Sequence, residues 1–147
     1  MTDIDPARSP MILLDTHVLV WLMLGDHQLG EEARGVIRRA CGEDRVAVSA
    51  ITPWEIGILV SKKRIDLYRD VMDWVREALS LPGVHLTPLS AEIAVASARL
   101  PWEMHADPAD RILVATARNQ GATLMTADRA LLGMAGNGHF AALDAMV

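Results

Sequence analysis

Four acidic residues of this 147-residue chain occupy the same kind of position. Asp15 closes the apolar start of MILLDTHVLVWL, and Glu55 follows the apolar run of VAVSAITPWEI. Asp110 lies in HADPADRILVATA and Asp128 in TLMTADRAL. Each marks a junction between strand-like and helix-like segments. In a parallel sheet all strand C-termini share one edge, where open α/β folds form their ligand crevice. Four carboxylates gathered there repel one another and resist joint ionisation. A bound divalent cation is the usual resolution. An all-oxygen set favours magnesium or manganese over zinc. The chemistry implied is that of a metal-dependent α/β enzyme, a phosphodiesterase.

A simpler reading exists for three of the four. Thr52-x-x-Glu55 with Pro53 at the first helical position is a capping box. Asp107 caps the helix opened by Pro108, and Asp110 complements the dipole in its first turn. Asp128 supports a helix start behind Thr126. Three observations favour a common site. Asp15 ends a run that reads as a buried strand, where an unpaired carboxylate is costly. Asp110 shares a helical stripe with Leu113, Val114 and Ala117, and Glu55 aligns with Ile58 and Leu59. All four occur at one type of junction, which independent caps do not require.

Neighbouring polar residues carry two readings each. Asp107 is a cap or an outer partner of the site. His17 and His105 flank the acids, and a histidine near a turn is more often a packing or hydrogen-bonding group than a ligand. Thr16, Ser49 and Thr126 are hydroxyls beside the acids that orient carboxylates or metal-bound waters, and helix capping explains Thr16 and Thr126 nearly as well. Arg111 and Arg129 each follow an acid and either engage a phosphate or stay solvated. Lys62-Lys63-Arg64 is the clearest basic patch, and it equally suits a helix C-terminus. Trp21 and Trp54 read as core or interface anchors rather than base-stackers.

The elements that must position these residues follow from periodicity. Strands are expected at Met11–Leu14, Val46–Ser49, Val84–Leu89, Ala122–Met125 and Phe140–Leu143. Helices are expected from Thr16 as cap through Leu24, over Glu31–Cys41, from Thr52 to Lys62, over Arg69–Leu81, and from Ser90 to Leu100. Asp107-Pro108 opens another that runs through Asn119 and stops at Gly121. A short one covers Ala127–Leu132. Strands alternating with helices imply a parallel sheet covered on both faces, with right-handed crossovers. Residues 1–10 read as a flexible tail and 11–147 as one domain.

Composition narrows the classes. Cys41 is the only cysteine, which precludes an intrachain disulfide. MTDIDPARSP lacks the basic start of a signal peptide. The apolar stretch from Met11 to Leu24 is too short to span a bilayer and is broken by Asp15 and His17. No membrane association and a cytoplasmic location are expected. The net charge of −5 argues against tight nonspecific duplex binding. Setting the four acids aside leaves the balance near neutral.

Taken in order, LLDTHVLVWL, VSAITPWEIGI, HADPADRILVATA and LMTADRAL resemble the PIN-domain toxins of the VapC type. The likeness spans nearly the whole chain after the tail. It implies a three-layer α/β/α sandwich with a five-stranded parallel sheet. It implies magnesium- or manganese-dependent endoribonuclease activity, a small cognate antitoxin and a homodimer. In the family pattern the acids at Asp15, Glu55 and Asp110 form the metal site, and Asp128 matches a more variable fourth acid. Pro53 stands where a serine is common, the Glu55 helix ends in VSKKRI, and the segment before Met11 is long. These departures bear on antitoxin and RNA contacts rather than on the acids. The dimer has a second basis: helices near Trp54, Ile58 and Trp74 carry more large side chains than one small core requires. An antitoxin segment is expected near the acidic edge, with a cationic side chain beside the carboxylates.

Two other classes are weighed. A phosphoacceptor signalling domain has acids around magnesium in an α/β fold, but needs paired acids after the first strand and a lysine after the last. Asp15 stands alone, and no lysine follows Lys63. A non-catalytic binding module on an inherited fold would have no need of all four acids.

Overall fold

The computed structural model describes residues 9–105 and 107–147. Strands β1 (Ile12–Leu14), β2 (Val46–Ser49), β3 (Val84–Thr87), β4 (Thr123–Thr126) and β5 (Ala141–Asp144) form one sheet. The order is β3-β2-β1-β4-β5, and every pairing is parallel. β1 is central and only three residues long, and all three are fully buried. Its register places Ile12 between Val46 and Thr123, and Leu14 between Val48 and Met125.

Seven helices cover the two faces: α1 (Thr16–Leu24), α2 (Glu31–Gly42), α3 (Ile51–Ser61), α4 (Val71–Leu79), α5 (Ala91–Ala98), α6 (Pro108–Gln120) and α7 (Arg129–Gly136). Side chains alternate across a strand, so β1 feeds two cores. Ile12 and Leu14 join Val46, Val48 and Met125 under α1, α2, Ile56 of α3, and Trp74, Val75 and Ala78 of α4. Leu13 joins Ala47 and Leu124 beneath Leu113, Val114 and Ala117 of α6 and Leu131 of α7. This is the expected three-layer sandwich with a five-stranded parallel sheet.

Local differences from expectation have physical causes. Asp15, not Thr16, caps α1: its side chain accepts from the Thr16 amide. The α3 helix begins at Ile51, so the Thr52-x-x-Glu55 capping box does not form. The Ser49 hydroxyl accepts from the Ile51 amide instead. Pro53 becomes the third helical residue, where the missing N–H still has no intrahelical partner to lose. Trp74 is 2% exposed and is a core residue rather than surplus surface, whereas Trp54 is 53% exposed. The tight passage from α4 to β3 is made at Gly83, which has φ +82° and lies against the Cys41 carbonyl. Of the expected tail, residues 1–8 lie outside the described residues. Ser9 is buried, and its amide donates to the Glu43 carboxylate. Among the described residues no helix is long and apolar enough to cross a membrane.

Candidate metal centre

The chain runs outward from β1 through β2 to β3, then returns to the other side of β1 as β4. The strand order therefore reverses between β1 and β4, and crevices of open α/β sheets form at such a point. Asp15 follows β1 and Asp128 follows β4, one at each wall of that crevice. A cavity of about 350 Å³ opens here, lined by Asp15, His17, Trp21, Glu55, Asp107, Asp110, Ala127 and Asp128. All four acids singled out from the sequence share it, and Asp107 joins them. No lysine or arginine is among its lining residues.

Asp15 is the most enclosed acid, at 9% exposure. One carboxylate oxygen accepts from the Thr16 amide at 2.7 Å, and the other from the Thr126 hydroxyl at 2.6 Å. Thr126 is fully buried, and its oxygen also accepts from the Asp128 amide at 3.0 Å. This hydroxyl ties the two walls of the crevice together. Burial pushes the Asp15 carboxyl above its usual range, against the lowering effect of these bonds.

Glu55 reaches the cavity from the second turn of α3. Burial raises its pKa, opposed by a hydrogen bond from Thr16, with the Asp15 and Asp107 charges raising it further. Thr52 is fully buried on the same helix, its hydroxyl 3.4 Å from that of Thr16. The two threonines thus join α1 to α3 directly behind the acids.

Asp110 lies in the first turn of α6, whose cap is Asp107: the Asp107 carboxylate accepts from the Asp110 amide at 3.1 Å. His105 Nε2 stands 2.8 Å from Asp110 Oδ2. Burial, with the charges of Asp107, Asp15 and Asp128, pushes the Asp110 carboxyl up to about 6 against the lowering effect of His105. Asp128, like Asp15, is a helix cap. It caps α7, accepting from the amides of Ala130 and Leu131. The simpler reading therefore holds for Asp128 and Asp107 as caps, although both also line the cavity.

The arginines do not face the acids. Arg111 donates to the backbone carbonyls of Ser97, Met104 and His105 and so secures the segment that carries His105. Arg129 forms a two-pronged ion pair with Asp144 at 2.7 and 2.8 Å. Lys62, Lys63 and Arg64 are exposed at the end of α3. The sequence reading did not give His17 and Trp21 a place in the wall. Their spacing from each other held part of the signal, because residues four apart on a helix share a face, and α1 starts at the Asp15 cap.

Among the described residues no three His, Cys, Asp or Glu side chains already stand close enough together to hold a metal ion. The donors nonetheless suit one. They are hard carboxylate oxygens, which prefer magnesium or manganese. Three of them are disfavoured from ionising by burial and by each other. Among the described residues no lysine or arginine lines the cavity, and the opposing effect of His17 on Asp15 and Glu55 is outweighed by burial.

Comparison with known proteins places this arrangement. The PIN-domain family model matches residues 12–137, and the chain belongs to that family. A curated relative, Ribonuclease VapC22 of Mycobacterium tuberculosis, is 38% identical over 121 residues, which cover 82% of this chain and 88% of the relative. Among solved structures, FitAcB from Neisseria gonorrhoeae is 26% identical with a TM-score of 0.61, covering 90% of this chain and 96% of that one. VapBC2 from Rickettsia felis, solved bound to a DNA fragment from its promoter, has a TM-score of 0.66 over 90% of this chain and 97% of that one. At 15% identity the latter likeness is one of fold.

Proposed function

We propose that residues 11–147 form a metal-dependent endoribonuclease, the toxin of a toxin–antitoxin pair. The observation that carries the chemistry is the acid-lined cavity at the β1/β4 switch point, with three carboxyls held above their usual range. The 38% identity to a curated ribonuclease supports RNA as the substrate. Asp15, Glu55 and Asp110 would hold magnesium or manganese, with Asp128 contributing from the edge. What a bound cation supplies there is activation of water and neutralisation of charge on the scissile phosphate and leaving oxygen.

The protein's own residues prepare the site. Thr126 and the Thr16 amide fix both oxygens of Asp15 in place. Thr16 orients Glu55, and His105 holds one oxygen of Asp110. Asp107 caps the helix that carries Asp110, and Asp128 caps α7 beside the cavity. The partner is a small antitoxin that covers the acidic edge and places a cation beside the carboxylates, which offsets their repulsion. A homodimer is supported by large apolar side chains left exposed, Trp54 among them. The location is cytoplasmic.

The test is cleavage of labelled RNA in magnesium and in chelator. Asp15→Asn, Glu55→Gln and Asp110→Asn should each abolish or nearly abolish cleavage while circular dichroism stays unchanged, and Asp128→Asn should do less. Full activity of Asp15→Asn would sink the metal-site assignment. Full cleavage by enzyme saturated with its partner would sink the inhibitory role, and a strictly monomeric mass in solution would sink the dimer.

A further inference from the structure

The cavity lining has no lysine or arginine, and the two arginines next to the acids are engaged elsewhere. Beyond a bound cation, a polyanionic substrate therefore finds no lysine or arginine among the described residues of the wall to pair with, which gives weight to contacts other than charge pairing. Two rings share the wall with the carboxylates. His17 and Trp21 lie one turn apart on α1, which starts at Asp15. His17 is exposed; Trp21 is half-buried and rests partly on the core beneath α1.

Their geometry contrasts with the other histidine–tryptophan pair of the molecule. Trp102 and His139 are nearly parallel, at 9° with centroids 4.2 Å apart, and close their faces on each other. His17 and Trp21 are tilted by 57° with centroids 6.4 Å apart. Neither ring closes the face of the other. An indole in the wall of a phosphate-directed site is a platform for a nucleobase, and such stacking is tolerant of sequence.

We infer that Trp21, bordered by His17, stacks a base of a single-stranded nucleotide next to the phosphate held at the acidic cavity. These residues bind and position; they do not take part in bond breaking. The inference deepens the ribonuclease reading and rests on it for the identity of the phosphate. It also favours unpaired over duplex substrates, because a base within a duplex has no free face to offer.

The test has two arms. In the first, the indole N–H resonance of Trp21 is assigned by its loss in Trp21→Phe, then followed while adenosine monophosphate or ribose phosphate is added in magnesium. Adenosine monophosphate should shift it and ribose phosphate should not, with the Trp54 resonance unmoved by either. In the second arm, cleavage of unpaired RNA is measured for wild type, His17→Ala, Trp21→Leu and Trp21→Phe. Trp21→Leu should raise KM about ten-fold with kcat within about two-fold, Trp21→Phe should restore most of it, and His17→Ala should give a smaller rise. An unchanged KM in Trp21→Leu, or equal shifts from the two phosphates, would overturn the stacking role. If wild type cleaves no RNA, the ribonuclease reading fails alone, and the first arm still decides whether Trp21 binds a base. Should Trp21→Leu not fold, the first arm and His17→Ala carry the decision.

Discussion

Replacing Asp110 by asparagine should stabilise the metal-free protein at neutral pH. Its carboxyl is raised from 3.8 to about 6, chiefly by burial. The folded state thus holds a proton more tightly than the unfolded chain. By linkage, the metal-free protein loses stability as pH rises from 3.8 to about 6, and nothing further from this group above that. The shift corresponds to about 3 kcal/mol at most. The side chain keeps 17% of its surface exposed, so water softens the penalty. Asparagine also forgoes the attraction between a carboxylate and the α6 N-terminus, about 0.3–1 kcal/mol. A net gain of about 1–2 kcal/mol remains, or roughly 3–6 °C in melting temperature for a domain of this size. The assay is thermal unfolding in chelator at about pH 7.5 and about pH 5, where roughly half the gain should be lost. An asparagine variant that melts below wild type at both values would refute the reasoning, since the ionised, His105-bonded carboxylate would then stabilise the fold outright.

Saturating magnesium should raise the wild-type melting temperature, because a ligand that binds only the folded state stabilises it by about 2.7 kcal/mol at a hundred times its Kd. An unmoved melting temperature would count against a metal site, and Asp110→Asn should lose most of the shift. Thr126→Val removes the fully buried donor to Asp15 and should destabilise by about 1–3 kcal/mol in urea at neutral pH, with an unchanged m-value. Asp128→Ala should lower stability by about 1 kcal/mol through loss of the α7 cap, whereas Asp128→Asn should not, since asparagine caps as well.

The architecture was legible from the sequence because its signals are local and redundant. Leu13 and its neighbours form an unbroken apolar run, and the α6 helix shows its cap, its proline and its terminal Gly121 in order. The α3 helix starts one residue before Thr52, with the Ser49 hydroxyl rather than a Thr52 box taking the Ile51 amide. Thr52 is instead buried with its hydroxyl beside that of Thr16, and no local pattern reveals that contact. Trp74 looked like surplus surface because the sequence does not say which helix covers β1. Arg111 and Arg129 resisted assignment for the same reason: their partners are remote carbonyls and Asp144, invisible to spacing. The acids were legible as a group through their shared type of junction. Their unequal roles, with Asp15 enclosed and Asp128 capping, depend on burial and amide geometry that only the fold supplies.

The hydroxyl of Thr126 that grips Asp15 is 111 residues away along the chain. The strand that carries it also supplies one of the two neighbours of the central strand. A ribosome that has delivered the chain through Gln120 has therefore made Asp15, Glu55 and Asp110, yet β1 still lacks a flank and its acid still lacks that anchor. Nascent chains and fragments ending before β4 carry the three acids without the contact that fixes Asp15. The central strand gains its second flank, and Asp15 its anchor, only once β4 has been made.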